Sequence, residues 1–182
     1  MARVAGFAAL ALATAAASTA SAHDRDHDDD RDGSTRLEVV LNGRIAPVCK
    51  LSGGGDIDFG VLDGNEQADA SFGLGCNVPF DLSFQSTRGG LAHATKPRGE
   101  GPFAGTLGYT LNVAVPTLSP GPGLMSGSFS SQDLMGRKTL SSGEGVAAGG
   151  GRIQIRTQVP GGAGLLAGEY SETLTVTVAP RV

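Results

Sequence analysis

Side chains that can bind metals are concentrated in a short tract near the N-terminus. The tract reads His23-Asp24-Arg25-Asp26-His27-Asp28-Asp29-Asp30. Imidazole and carboxylate groups together suit zinc or copper, and carboxylates alone suit calcium. If the chain is cleaved after Ala22, His23 also carries a free α-amine, and an amine with an imidazole can chelate copper. The candidate metal ligands are therefore His23, Asp24, Asp26 and His27.

The same tract is also typical of a solvated, disordered leader. Its spacing does not fix a coordination geometry, and it contains two arginines. Residues 23–32 carry a net charge of −4 with histidine neutral, whereas the chain from residue 33 onward carries only −1. We favour an acidic leader that keeps exported copies apart, with metal binding as the alternative.

Two cysteines offer a different chemistry. Cys49 and Cys76 lie 27 positions apart on predicted strands, and in an oxidising compartment they can pair. Closing a loop of that length stabilises a fold by roughly 3–4 kcal/mol on the chain-entropy estimate. No histidine accompanies them in a recognisable arrangement, so a structural bridge is favoured over a cysteine nucleophile.

The remaining candidates for catalysis are weak. Asp56 and Asp58 would share one side of a strand, and paired carboxylates can serve acid–base chemistry, but a solvent-facing pair is the favoured interpretation. His93 stands in a glycine- and lysine-containing loop and is expected to be exposed. The glycine triplets lack the Lys-Ser/Thr of a phosphate-binding loop. We therefore expect neither an enzyme nor a cofactor.

The first 22 residues have the pattern of a secretory signal peptide. Arg3 supplies the positive charge, residues 4–17 are apolar, and Ala20-Ser21-Ala22 fits a cleavage site. The apolar run is short for a membrane span, although an uncleaved anchor is the alternative. The expected order is a signal peptide at 1–22, the leader at 23–34 and one domain at 35–182. Stable membrane insertion is not expected, and the charge balance provides no basic surface for nucleic acid.

The mature chain has the pattern of an all-β sandwich. Of the 29 glycines in the sequence all but Gly6 fall in the mature chain, where they and 9 prolines punctuate short runs of alternating apolar residues. Residues 119–127 are predicted to be a Pro/Gly loop without core residues. A further short segment is expected at 56–62, and the predicted strands cover residues 37–42, 44–51, 68–76, 80–84, 107–115, 153–159 and 169–178.

The last predicted strand has a clear two-faced pattern. Tyr170, Leu174, Val176 and Val178 share one face, and threonines occupy the other. The sequence stops at Val182, so this strand is expected at a sheet edge, where another chain can pair with it. Aromatic residues make up only 5% of the chain. The core is therefore thin, and either the sandwich is incomplete by itself or a disulfide supports it.

An ordered set of motifs supports a family resemblance. An alternating strand precedes Cys49, an Ile57-Asp58-Phe59-Gly60 segment follows it, and Cys76 ends a strand. The closing run is Ala167-Gly168-Glu169-Tyr170-Ser171-Glu172-Thr173-Leu174-Thr175-Val176-Thr177-Val178. From Leu37 to Val178 the sequence resembles the spore coat protein U domain and its relatives, the secreted subunits of archaic (Csu-type) chaperone–usher pili.

The resemblance implies an incomplete immunoglobulin-like, pilin-type sandwich that lacks its last strand. A periplasmic chaperone, and then the N-terminal extension of a neighbouring subunit, would fill the resulting groove. An outer-membrane usher would export the assembly from the periplasm to the cell surface. By this resemblance Cys49 and Cys76 match the family's disulfide, and the last strand borders the groove through Leu174, Val176 and Val178. The donor side chains would be Leu37, Val39 and Leu41, within a segment at 35–43. A shaft, an adaptor and a coat role all remain open.

Overall fold

A computed structural model of the protein describes residues 35–182. Residues 43–182 form one compact unit, and residues 35–42 belong to another, which is considered by itself. The predicted signal peptide and acidic leader lie outside the described residues. None of the helices in the described part is both long and apolar enough to cross a membrane.

The compact unit is almost entirely β-structure, which confirms the predicted all-β class. One short 3₁₀ helix, Asp133–Met135, interrupts the strands. The strands are β1 (Cys49–Gly53), β2 (Gln67–Cys76), β3 (Phe80–Ser86), β4 (Leu91–His93), β5 (Thr106–Leu107), β6 (Tyr109–Thr117), β7 (Gly123–Ser130), β8 (Lys138–Ser141), β9 (Ala147–Ala148), β10 (Gly151–Thr157), β11 (Tyr170–Ser171) and β12 (Leu174–Pro180).

Three antiparallel sheets build the fold. The largest has the order β1-β2-β10-β6-β7, with β9 paired to one end of β2. A second sheet has the order β12-β3-β8, and a small third sheet has the order β11-β4-β5. Alternate residues of β3 and β6 are fully buried, because their apolar faces point into the space between the two main sheets. This arrangement is sandwich-like.

The two long seams of the sandwich differ. At the β7–β8 seam, Leu140 packs so closely on Gly127 that a Cβ on the glycine would come within 2.7 Å of a leucine methyl carbon. At the opposite seam, between β1 and β12, the apolar side chains are only half-buried. The two sheets therefore touch at the β7–β8 seam, where Leu140 and Phe129 are also half-buried, and the core reaches the surface at the β1–β12 seam. Its fully buried aliphatic and aromatic side chains include Leu74, Phe80, Leu82, Phe84, Leu107, Leu111, Val113, Val115 and Leu134.

The strand boundaries correct several predictions. The loop predicted at 119–127 is wrong, because β7 begins at Gly123 and buries Met125. The strand predicted at 44–51 begins only at Cys49, and residues 37–42 and 56–62 form no strand. A strand requires a neighbouring backbone to accept and donate its hydrogen bonds. An alternating pattern of apolar residues does not by itself show that such a neighbouring strand exists.

Candidate binding cleft

An open cleft of about 710 Å³ lies along the β1–β12 seam. Leu51 of β1 lines it on one side, and Leu174 and Val176 of β12 line it on the other. The further apolar side chains that line the cleft are Ile57, Phe59, Ala70, Phe72, Leu91, Tyr109, Ile153, Ile155 and Tyr170. Most of this apolar surface belongs to the inner faces of the two main sheets, so the cleft is a gap in the core.

Two strand edges beside this cleft have no strand partner within residues 43–182. Strand β12 pairs with β3 along its whole length and with no other strand there. Strand β1 covers only the Phe72–Cys76 part of β2, so residues 67–71 of β2 pair with β10 alone. Unpaired edges of this kind can accept main-chain hydrogen bonds from an added strand.

The predicted two faces of the last strand are present in β12. Leu174, Val176 and Val178 are half-buried and pack against the core, whereas Thr175 and Thr177 are exposed. Leu174 and Val176 line the cleft, and Val178 lies beyond it. Half-buried aliphatic side chains retain apolar surface that further burial would stabilise.

Tyr170 does not belong to this strand, so the prediction of one continuous strand over 169–178 is wrong. It lies in β11, pairs with His93 of β4, and still lines the cleft. Its hydroxyl donates to the Leu166 carbonyl at 2.6 Å, with the Ala104 carbonyl at 3.2 Å. After Ser171 the chain passes from the small sheet to another sheet, because the side chain of Glu172 makes a separate set of hydrogen bonds.

The Glu172 carboxylate organises one end of the cleft. It accepts hydrogen bonds from the Ser86 hydroxyl at 2.8 Å and from the backbone N–H groups of Gly90 and Thr87 at 2.9 and 3.0 Å. The N–H groups of Arg88 and Thr173 also donate to it. Through these hydrogen bonds the carboxylate holds the 86–90 turn beside β12. Sequence reasoning missed this residue, although an acidic side chain between two strand segments is a signal for such a link.

Tyr109 presents an unsatisfied polar atom at the same end. Its side chain lines the cleft and is 3% exposed, yet its hydroxyl has no hydrogen-bond partner among the described residues. Burial raises the pKa of Tyr109 to about 12; the Ser86 hydroxyl opposes this rise, and the Glu172 carboxylate adds to it. The phenol is therefore a neutral donor at ordinary pH. The strand pattern identified Tyr109 only as a core residue.

The predicted bond between Cys49 and Cys76 is confirmed: the two residues form a disulfide. It ties the first residue of β1 to the last residue of β2. The Asn77 side chain adds to this link, accepting from the Val48 N–H at 2.7 Å and donating to the Ala46 carbonyl at 3.0 Å. The cleft wall formed by β1 is thus anchored at its first residue.

The prediction that His93 is exposed is wrong. The residue is 8% exposed and packs edge-on against Tyr170. Its Nδ1 accepts from the backbone N–H groups of Lys96 and Thr95, so Nε2 carries the proton and donates to the Ala167 carbonyl at 3.1 Å. The ring is a structural link between the small sheet and the 165–169 turn.

Of the two paired aspartates, Asp56 lines the cleft and Asp58 does not. Asp58 accepts from the Gly60 N–H in a local turn, and both Asp56 and Asp58 are exposed, as expected. The candidate ligands His23, Asp24, Asp26 and His27 lie outside the described residues. Within residues 35–182, no group of three or more His, Cys, Asp or Glu side chains could hold a metal ion.

The candidate donor side chains are strongly exposed. Leu37, Val39 and Leu41 are 87, 65 and 89% exposed, and no strand includes them. Three apolar side chains at alternate positions, each facing water, are unfavourable unless another surface buries them. Strand β12 likewise has three apolar side chains that face the core, those of Leu174, Val176 and Val178.

Comparisons with known proteins add no family assignment. The sequence matches no family model in the scan, and a search of curated proteins finds no match.

Proposed function

We propose that the protein is an exported structural subunit of a surface pilus or coat that assembles by strand exchange. The 35–43 segment of one copy inserts into the β1–β12 cleft of the next and completes the sandwich. A periplasmic chaperone occupies the cleft beforehand, and an outer-membrane usher passes the subunits to the surface. The fold is then an immunoglobulin-like sandwich that borrows its final strand.

The single observation that carries this proposal is the open core along the β1–β12 seam. A cleft of about 710 Å³ exposes aliphatic side chains beside the unpaired edge of β12. An inserted strand gains main-chain hydrogen bonds along that edge, and its alternate side chains enter the core. Both gains require an extended segment with three apolar residues at alternate positions, which is the pattern of Leu37, Val39 and Leu41.

Insertion requires both the burial of apolar side chains and the formation of main-chain hydrogen bonds. Burial of each aliphatic side chain contributes roughly 1.5–3 kcal/mol, and three are available. Ordering the segment costs about 1–2 kcal/mol per residue in backbone entropy, so the added main-chain hydrogen bonds are also needed. Pairing of a donor with an identical neighbour is head-to-tail and generates an open filament if the rotation does not close.

The donor assignment is tested by two aspartate substitutions on opposite faces of the segment. Val39→Asp places a charge on the inserting face and should abolish assembly, because an unpaired carboxylate would be buried. Val40→Asp changes the solvent-facing side and should leave assembly intact. The measurements are sedimentation velocity of the purified protein and negative-stain microscopy of expressing cells. Equal assembly by both variants would contradict the donor assignment.

Metal binding by the leader is the second hypothesis, and it rests on the sequence alone. Titration of the purified protein with copper or zinc tests it. Micromolar uptake that disappears when residues 23–32 are removed would support a periplasmic or extracellular metal-binding role.

A further inference from the structure

One end of the cleft is polar, in contrast to its aliphatic middle. Tyr109, Glu172 and Ser171 line it there, and Ser86 lies behind them. These groups come from different elements: Tyr109 begins β6, Ser86 ends β3, and Glu172 precedes β12. The fold therefore brings a hydroxyl, a carboxylate and a phenol together at a fixed position along the seam.

The Tyr109 hydroxyl lies close to the Ser86 hydroxyl, which affects its pKa, but it makes no hydrogen bond of normal geometry in the empty cleft. The Glu172 carboxylate accepts from Ser86 and from the backbone of the 87–90 turn. The Ser86 hydroxyl donates to Glu172 and accepts from the Gly89 N–H at 2.8 Å. A buried hydroxyl without a partner is destabilising, so the empty cleft holds an unfavourable group at this position.

We propose that the Tyr109 hydroxyl is a recognition group for the inserted strand and donates a hydrogen bond to one of its carbonyl oxygens. This inference rests on the strand-accepting function proposed above. This hydrogen bond would fix the position of the strand that occupies the cleft. A shift by one residue moves every side chain to the other face, so a polar contact at one end selects among registers.

A carbonyl oxygen is the chemistry that fits. Tyr109 needs an acceptor, and the side chains that enter the core, those of Leu37, Val39 and Leu41, supply none. The hydroxyl oxygen exposes less than 1 Å² in the empty cleft. A carbonyl therefore reaches it only when the side chains that cover the hydroxyl shift as the strand enters.

The affinity test uses the complete protein carrying Val39→Asp, whose own donor segment is disabled, and a synthetic peptide of residues 35–43. Adding Tyr109→Phe should weaken peptide binding about five-fold or more, because a carbonyl loses its donor inside the cleft. The same change should leave the empty protein as stable or more stable, because the unsatisfied hydroxyl is gone. Calorimetric titration and thermal unfolding measure the two effects.

Tyr170→Phe provides the matched control for stability. It removes the other tyrosine hydroxyl, which is hydrogen-bonded to Leu166, so it should lower the melting temperature of the empty protein. Opposite signs for the two Tyr→Phe changes are the expected result. A drop in stability for both changes would overturn the assignment of an unsatisfied phenol at Tyr109.

A spectroscopic test leaves Tyr109 in place. The chain has two tyrosines and no tryptophan, so the Tyr170→Phe protein with Val39→Asp reports Tyr109 alone. Peptide binding should shift its absorption to longer wavelength as the phenol begins to donate a hydrogen bond. Binding without that shift, or with equal affinity after Tyr109→Phe, overturns the inference and leaves strand acceptance standing. Failure of the peptide to bind any variant overturns strand acceptance itself.

Discussion

The carboxylate of Glu66 joins the turn before β2 to the end of β10. It accepts from the Thr157 hydroxyl at 2.5 Å and from the backbone N–H groups of Gly64 and Asp63. The Glu66 N–H in turn donates to the Thr157 hydroxyl at 2.9 Å. This reciprocal arrangement closes the sheet at the end opposite the disulfide.

Stability should fall in acid because of this group. Burial of the Glu66 carboxyl opposes its ionisation, but the hydrogen bonds from Thr157, Asp63 and Gly64 outweigh it and lower the pKa to about 2. A lowered pKa in the folded state stabilises the fold above the ordinary value near 4.5, and this contribution is lost as the pH falls toward 2. Glu66→Gln should therefore flatten the dependence of the unfolding free energy between about pH 5 and pH 2, measured by urea titration.

The matched control for that experiment is Glu144→Gln. Glu144 is exposed, and its side chain accepts no hydrogen bond from the residues that the structure describes. Its substitution should leave the acid slope close to that of the unmodified protein. Equal slopes for Glu66→Gln and the unmodified protein would contradict the role given to Glu66.

At the scale of elements, β1 depends on the disulfide for its place beside β2. The bond closes a loop of sequence separation 27, and the chain-entropy estimate for such a loop is roughly 3–4 kcal/mol. Replacement of both Cys49 and Cys76 by serine should reduce the free energy of unfolding by about that amount in denaturant titrations. Reduction of the unmodified protein should have the same effect, and unchanged stability in both experiments would show that β1 is held by other contacts.

The strands that alternation predicted best are those with a buried face and two neighbours. Strands β2, β3, β6 and β10 lie near their predicted positions, because burial on one face imposes a two-residue period on the sequence. The same period failed for residues 37–42, which have apolar alternation but form no strand with any of residues 35–182. Whether a segment forms a strand also depends on a neighbouring backbone, and the sequence of the segment does not specify that neighbour.

The missed features depend on contacts between distant residues. Strand β7 was not predicted because it lies in a glycine-rich stretch. One of these glycines, Gly127, leaves room for Leu140 of β8. The buried state of His93 depends on the Ala167 carbonyl, 74 positions away. The surroundings of the Tyr109 hydroxyl are set by Ser86 and Glu172, which are distant from it in the sequence. None of these partners is visible in the local pattern.

At the scale of the whole molecule, filling the cleft should raise the stability of the entire sandwich. A peptide of residues 35–43 at 100 times its dissociation constant should add about 2.7 kcal/mol to the Val39→Asp protein. For a domain of this size that corresponds to a melting temperature roughly 5–11 °C higher. A peptide with aspartate at the Val39 position is the control and should have no effect. The same rise with both peptides would exclude insertion through the alternating face.

Under the proposed strand exchange, each copy contributes the strand-accepting cleft at the β1–β12 seam and one donor segment. It would therefore have two neighbours. Subunits that each have two neighbours form unbranched filaments and cannot form a network. Such filaments would grow only in length, and a surface layer built from them would be as thick as one filament.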